Sequence, residues 1–377
     1  RQYSRRGREF GTSIEKAFYK DMTVAELIDR ILKKRAVAFL TAQDRYKLLT
    51  GEEDEDGWES IGTLQQKPPL VLENCLSYDE MKLSAMVYVS GPTECINDGA
   101  RSNSGVVSED NAESDAIIIG LIGARFERKF RMDYEDILIT EHQNCLENGY
   151  GEEVTYTYEE LISYVSLQEK PEDKMYIDRY VRHNDVIFDN EVYYKRLTIL
   201  AETTLLEADH RAKEAGKNAF LNVIGAGLGV WKISPHQADV YILTFLERIR
   251  SFLKKDFLNH VTDVNFAYIR PTASILNLFL GSDDADERRI FFECKRHPEG
   301  GINVLLENRE PSAKLDGEHE GKLLVMTYPW DGNPYINWVW SDGKSVIHQT
   351  SDQFLFYLHL VKSLKKLYLI SCYYILT

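Results

Sequence analysis

The amino-acid sequence predicts an α/β fold, in which a mixed β-sheet is flanked by helices. Short apolar segments alternate with longer amphipathic segments from residue 71 onward. A long helical pattern at 191–216 is followed at once by the apolar segment 219–224, and a second helical pattern leads to another apolar segment at 261–269. Strands that alternate with helices in this way are typical of sheets with parallel strands.

The N-terminal part, residues 1–70, is predicted to be a small helical accessory segment, and 71–377 the main domain. Short helices are expected across 14–50, because 23–34 places Val24, Leu27 and Ile31 on one helix face. The acidic stretch 51–57 and the prolines at 68 and 69 predict a loop and a boundary.

The main domain contains the remaining elements in order. Residues 79–89 predict a helix that leads to a strand, and the polar stretch 99–114 predicts a surface loop. The basic end of the helix at 191–216 suits the negative end of a helix dipole. Further strands are expected at 116–123, 137–140, 219–224, 261–269, 290–295, 301–306 and 322–328, and a final helix at 352–367.

A glycine loop follows the strand at 219–224. Gly225, Gly227 and Gly229 alternate there, Ser234 can cap the next helix, and Pro235 suits its first turn. A strand, a glycine loop and a helix together direct backbone N–H groups at a phosphate, which glycine lets approach closely. The loop is therefore predicted to hold a phosphorylated small molecule, with a tight turn that binds no ligand as the alternative.

Two common phosphate motifs do not fit this loop. The third glycine of a dinucleotide-binding loop is replaced by Val230, and the strand at 261–269 runs into Arg270 and Pro271 without the acid that binds ribose. No Gly-Lys-Ser/Thr follows, so the Walker A loop of nucleoside triphosphatases is excluded as well.

Composition excludes several classes of partner. The net charge of −15 argues against nucleic acid, and no apolar run reaches the ~20 residues that span a membrane. The five cysteines are widely spaced without Cys-x-x-Cys, which predicts a reducing, cytoplasmic compartment. No metal site and no cofactor are expected from the histidine and cysteine spacing. Because the chain begins at Arg1, a native N-terminal signal can be missing from it.

Four further positions are candidate ligand contacts, each with a structural alternative. Asp331 and Asn333 follow the strand at 322–328 among aromatic residues, which suits sugar hydroxyls and glycosidic chemistry as well as an ordinary turn. Asp352 begins the last predicted helix, either as its N-cap or as an acid that faces a ligand. Phe126 either stacks on a base or packs in the core.

The pair Asn97 and Asp98, before Gly99, forms either a turn or a contact with a ribose.

Several short motifs together resemble one family, that of the Legionella effector MavL and its relatives in insects and other animals. The resemblance runs from about residue 44 to 340 and is carried by residues 78–85, 96–99, 120–127, 147–151, 211–217, 227–231 and 330–333. It implies a macrodomain-like fold, akin to poly(ADP-ribose) glycohydrolase, that binds ADP-ribose.

This resemblance also implies an activity. The expected function is hydrolysis that removes ADP-ribose from a modified protein, with an arginine of ubiquitin as one candidate, in the cytoplasm or, for a bacterial effector, in the cytosol of its host. One alternative is a reader that binds ADP-ribosylated proteins without chemistry. Another is a structural or interaction protein with a vestigial pocket.

The resemblance implies roles for individual residues. The diphosphate is expected on Gly225, Ala226, Gly227, Leu228, Gly229, Val230 and Trp231. Phe126 is expected near adenine, and Asn97, Asp98 and Asn333 at the ligand as well. Asp331 and Asp352 are the implied catalytic acids. We further expect Gly227→Val to abolish binding with the fold intact.

One position departs from the family pattern. Where relatives carry an acid, this sequence has Trp338. Either Asp331 and Asp352 suffice for catalysis, or the protein binds ADP-ribose without cleaving it efficiently.

Overall fold

A computed structural model describes most of the chain before residue 330. The described residues are 13–34, 37–38, 45–47, 53–54, 80, 88–100, 107–126, 133–148, 150–151, 156–167, 178–280 and 289–329. They fall into two compact units, one that ends at Tyr88 and one that begins at Val89. The boundary predicted near residue 70 stays a prediction.

The first unit begins with two helices, α1 (Ser13–Tyr19) and α2 (Val24–Lys34). A capping box starts α2, because the Thr23 hydroxyl accepts a bond from the Glu26 N–H at 3.2 Å while the Glu26 carboxylate accepts from the Thr23 N–H at 2.7 Å. Leu27 and Ile31 of the predicted helix face are buried, whereas Val24 of the same predicted face is 60% exposed.

Three short strands follow in this unit, where the sequence predicted only helices up to residue 50. They are β1 (Val37–Ala38), β2 (Arg45–Lys47) and β3 (Glu53–Asp54), and they form an antiparallel sheet. The helical expectation is wrong here because the backbone pairs across the chain, with Val37 opposite Tyr46. Both residue types favour strands over helices.

In chain order the described strands of the second unit are β4 (Val89–Glu94), β5 (Asp115–Leu121), β6 (Leu138–Ile139), β7 (Tyr180–His183), β8 (Val186–Asp189), β9 (Ala219–Ile224), β10 (Val261–Ala267), β11 (Arg289–Glu293), β12 (Gly301–Leu305) and β13 (Leu323–Pro329). Strands β6, β8 and β7 form an antiparallel sheet.

The other seven strands form a mixed sheet, ordered β11-β12-β10-β9-β13-β5-β4. The strands β5, β13, β9, β10 and β12 run parallel, and the edge strands β4 and β11 are antiparallel to their neighbours. The predicted α/β class with a mixed sheet flanked by helices is thus confirmed.

Among the described residues, five α-helices accompany these strands: α3 (Asp133–Ile137), α4 (Tyr158–Leu167), α5 (Asn190–Ala215), α6 (His236–Lys254) and α7 (Ala273–Phe279). The long helix α5 matches its prediction. Asp189 caps its first turn by accepting a bond from the Glu191 N–H at 3.0 Å, and Gly216 ends it in the left-handed region at φ 62°.

The apolar face of α6 packs on the central strands. Tyr241, Phe245 and Ile249 are buried as the sequence pattern predicts, and the Phe245 ring lies 5.6 Å from that of Phe266 on β10. The Tyr241 hydroxyl donates to the carbonyl of Ile224, the last residue of β9, at 3.0 Å. This bond holds α6 to the point where the glycine loop begins.

All five parallel strands end at the same edge of the sheet. Strand β13 lies between β5 and β9, pairing with β5 as far as Pro329 opposite Leu121 but with β9 only as far as Met326 opposite Asn222. Beyond that point the Ile224 N–H donates to the Thr327 hydroxyl at 2.9 Å instead of to a backbone carbonyl. The sheet therefore opens between β9 and β13, at the edge where α/β proteins bind ligands.

The opposite end of β10 contains a buried ion pair. Asp263 is 0% exposed, and its carboxylate lies 2.5 Å from the Lys322 ammonium. The hydroxyl of Thr262 donates to the same carboxylate at 2.6 Å. Removal of the ammonium would leave the buried carboxylate without the charge of the lysine, beside the His319 ring, whose Nδ1 lies 3.5 Å away and is charged only when protonated.

We therefore expect Lys322→Met to lower the free energy of unfolding by roughly 3 kcal/mol, the cost of breaking one side of a buried pair. Denaturant unfolding measures it. Lys314→Met, the same change at an exposed lysine, is the control and should have little effect. If Lys322→Met lowers the free energy of unfolding no more than the control does, the stabilising role of the Asp263–Lys322 ion pair is contradicted.

Candidate functional site

The glycine loop lies at the carboxyl edge of the sheet. It leaves β9 at Gly225 and ends at Trp231, before α6 begins at His236. Ala226 is buried, whereas Val230 is 87% exposed. The loop thus has a buried beginning and an exposed end, with a long helix directly behind it.

The three glycines of the loop meet different constraints. A Cβ at Gly225 would lie 2.9 Å from the Leu228 side chain. Gly227 has φ +80°, and a Cβ there would lie 2.8 Å from the carbonyl oxygen of Ala124. At Gly229 a Cβ would have no atom within 4 Å. Packing within the fold therefore explains why residues 225 and 227 are glycines, but it does not explain the glycine at 229.

This geometry corrects one expectation. A valine at Gly227 would be forced against the backbone and into a left-handed conformation, so Gly227→Val cannot leave the loop intact.

A second loop, directly after β5, packs against the glycine loop. A Cβ at Gly123 would lie 2.2 Å from the backbone nitrogen of Gly227, so the two loops are in backbone contact. Sequence reasoning had included Gly123 only within the motif 120–127, because a glycine needed for contact with a distant segment has no local signature.

Arg125 and Trp231 continue this contact between the loops. The Arg125 guanidinium carbon lies 5.8 Å from the centroid of the Trp231 ring, within the range of a cation–π interaction. Arg125 is 6% exposed, and its backbone N–H donates to the Asp133 carboxylate at 2.9 Å. The end of the glycine loop is thus supported by a buried cation.

Phe126 is part of the core below these loops. It is 1% exposed, and its ring centroid lies 5.3 Å from that of Phe188 and 6.0 Å from that of Tyr193. This arrangement is that of a packing residue, and the role beside adenine stays a prediction.

Asn97 and Asp98 form the turn that the sequence offered as one alternative. The Asn97 side chain accepts a bond from the Gly99 N–H at 3.0 Å, and that of Asp98 accepts from the Ala100 N–H at 2.9 Å. The Ser312 hydroxyl donates to the Asn97 carbonyl at 2.8 Å, which ties the turn to the segment after β12. The role of both residues at a ribose stays a prediction.

Tyr268, which sequence reasoning missed, lies at the same edge, one residue beyond β10. This residue is 52% exposed, and its backbone is in the left-handed region at φ 58°. The N–H donates to the Asn308 side chain at 2.9 Å and the hydroxyl to Glu310 at 2.6 Å. Desolvation and the Glu310 carboxylate raise the pKa of Tyr268 to about 12. The sequence offered no signal for it beyond an aromatic residue after a strand.

A chain of hydrogen bonds joins the first residues of α5 and α6. The Ser234 hydroxyl lies 2.5 Å from Nδ1 of His236, and Nε2 of His236 lies 3.0 Å from the Asn190 side-chain oxygen. Because that oxygen only accepts, Nε2 carries the proton and the Ser234 hydroxyl donates to Nδ1. The expected cap is wrong in its detail: Gln237 accepts the Ser234 N–H at 3.0 Å, while the Ser234 hydroxyl is used by His236.

Burial lowers the pKa of His236 to about 4, with a smaller contribution from His183. The folded protein thus keeps this ring neutral where an unfolded chain protonates it. Stability is expected to fall as the pH drops from about 6.5 towards 4, by roughly 3 kcal/mol for this group. Denaturant unfolding across that range should show a smaller decrease for His236→Gln than for the parent. If the free energy of unfolding falls equally steeply with pH in the parent and in His236→Gln, the lowered pKa of His236 is contradicted.

Comparison with known proteins identifies the family. Residues 1–368 match the family described as ADP-ribosylhydrolase MavL-like. The chain belongs to this family. Two proteins of Drosophila melanogaster, both described as ADP-ribosylarginine hydrolases, are similar to it: one is 40% identical over 340 residues and the other 37% identical over 353.

The matched regions cover 86% and 88% of this MavL-like chain but 64% and 66% of the two relatives. The chain thus spans about two thirds of the length of the curated relatives it matches. The family that the sequence motifs resemble is confirmed.

The acids that the MavL-like resemblance implies, Asp331 and Asp352, lie outside the described residues, as do Asn333 and Trp338. Strand β13 ends at Pro329, two residues before Asp331. In the part of the chain that the structure describes, no three His, Cys, Asp or Glu side chains are grouped to hold a metal ion. Likewise, no helix among the described residues has the length and apolar character to cross a membrane.

Proposed function

We propose that the protein hydrolyses the bond between ADP-ribose and a modified protein, with arginine as the linked side chain. The observation that carries the proposal is Gly229, a glycine at the exposed end of the loop that the fold does not require. A ligand whose phosphates approach the backbone supplies the missing reason. The names of the two Drosophila relatives support the same chemistry.

The ligand is assigned to the carboxyl edge of the sheet. The diphosphate lies on the backbone of 225–231, where the positive end of the 19-residue helix α6 adds a favourable field. Backbone dipoles suffice to bind an anion in a protein whose net charge is −15. The macrodomain likeness, a cytoplasmic location and ubiquitin as the modified protein belong to the same proposal.

The chemistry is cleavage of a glycosidic C–N bond by water. The ribose passes through an oxocarbenium-like state, which a carboxylate beside the anomeric carbon stabilises while it orients the attacking water. Asp331 takes this role by family resemblance, and Asp352 protonates the leaving nitrogen. The products are ADP-ribose and the unmodified arginine.

A reader of ADP-ribosylated proteins is the second candidate. By the family resemblance, Trp338 stands where relatives have an acid. This favours a reader, because loss of one acid lowers turnover without removing the diphosphate contacts.

Calorimetry with ADP-ribose, combined with a turnover assay on ADP-ribosylarginine protein, tests both candidates. The hydrolase should bind ADP-ribose and release it from the protein, and a reader should bind without release. NAD should bind more weakly, since nicotinamide occupies the end where the product has a free ribose. A folded chain that does not bind ADP-ribose would eliminate both.

A further inference from the structure

The contact between the two loops contains a charge that the proposed function does not use. Arg125 lies in the loop after β5, and its guanidinium stacks over Trp231 at the end of the glycine loop. Trp231 is only partly buried, so the ring and not the cation has surface in contact with solvent. Arg125 and Trp231 lie close in sequence to Gly123 and Gly227, whose backbone contact fixes the distance between the two loops.

Side chains from the two helices α3 and α5 form hydrogen bonds with the segment that contains Arg125. Asp133, at the start of α3, accepts the Arg125 N–H with one carboxylate oxygen and the Arg196 Nε with the other, at 2.9 and 3.1 Å. Arg196, on α5, also donates to the Ile122 carbonyl at 3.0 Å. The backbone at Arg125 is therefore held by the fold, and its buried guanidinium lies over the Trp231 ring.

We propose that Arg125 is a positioning residue for the anion site. Its guanidinium holds the Trp231 ring, which fixes the end of the glycine loop, and its charge favours a diphosphate in that loop. A buried cation is screened less by salt than an exposed one, and its attraction to an aromatic face is stronger when water is excluded. The inference rests on the proposed function, because it requires an anion on 225–231.

The test compares Arg125→Lys with Arg125→Met in calorimetry with ADP-ribose, with a thermal melt of each variant. If the charge matters, the methionine variant should bind ADP-ribose at least roughly tenfold more weakly, about 1.4 kcal/mol. The lysine variant, which keeps the charge, should stay within about threefold of the parent. A purely structural role predicts equal losses in both. Equal losses, or no loss in either, overturn the proposal.

If Arg125→Met does not fold, a second pair of variants, at Trp231, tests the same proposal. Trp231 is partly exposed, so Trp231→Phe and Trp231→Leu can be compared at little cost to the fold. Phenylalanine keeps an aromatic face for Arg125 and should lose clearly less ADP-ribose binding than leucine, which should lose roughly tenfold. Leucine that binds like the parent overturns the inference.

The outcomes separate this inference from the proposed function. If the parent binds ADP-ribose and all variants bind it equally, only the role of Arg125 fails. If the parent does not bind ADP-ribose, the proposed function fails, and the same series with ADP decides whether the loop is an anion site. No binding of ADP by the parent overturns both.

Discussion

Gly229→Val is expected to weaken ADP-ribose binding by roughly 100-fold or more, about 2.7 kcal/mol, while the protein remains folded. The structure has room for the side chain, since no atom lies within 4 Å of a Cβ at this position. The isopropyl group would occupy the space through which the phosphates reach the backbone. Calorimetry measures the loss, and a thermal melt within a few degrees of the parent shows that the fold is retained.

The matched control is Gly227→Val in the same loop. Its Cβ would lie 2.8 Å from the Ala124 carbonyl oxygen, and its φ of +80° is unfavourable for valine. We expect a loss of roughly 2 kcal/mol or more in stability from backbone strain alone. If Gly229→Val binds like the parent, the loop does not contact phosphate, and the proposed function loses its main support.

The sequence predicted the elements whose periodicity is set by burial. Strand β9 was predicted with the bounds that it has, because it is nearly all buried. Helix α6 was predicted from its one apolar face, without bounds. The β7–β8 hairpin was missed, since β7 is largely polar and the turn contains Asn184 in a left-handed conformation instead of a glycine.

The candidate site divides in a similar way. The glycine loop was predicted because three alternating glycines between a strand and a helix are visible in the local sequence. The interlocked pair Gly123–Gly227 and the stack of Arg125 on Trp231 depend on segments about a hundred residues apart, which no local pattern encodes. Phe126 illustrates the reverse problem, since an aromatic residue has the same local signature in a core as beside a base.

Asp331→Ala is expected to lower turnover of ADP-ribosylarginine protein by at least ~10²-fold, the contribution of a positioned acid or base. The reason is that a neutral methyl cannot stabilise the positive charge that develops on the ribose. Binding of ADP-ribose should change far less, because the proposed contacts to the diphosphate come from the glycine loop. Single-turnover kinetics, with calorimetry on the same variant, separates the two effects.

Asp331→Asn refines this test, because it keeps the size and hydrogen bonding of the side chain and removes only its charge. If the carboxylate stabilises charge, asparagine should be nearly as inactive as alanine, whereas a positioning role through hydrogen bonds would let it retain most of the activity. Asp110→Ala, at an exposed aspartate, is the control and should turn over like the parent. Parent-like activity of Asp331→Ala on ADP-ribosylated ubiquitin, where the parent is active, would remove Asp331 from the mechanism and leave Asp352 as the remaining acid to test.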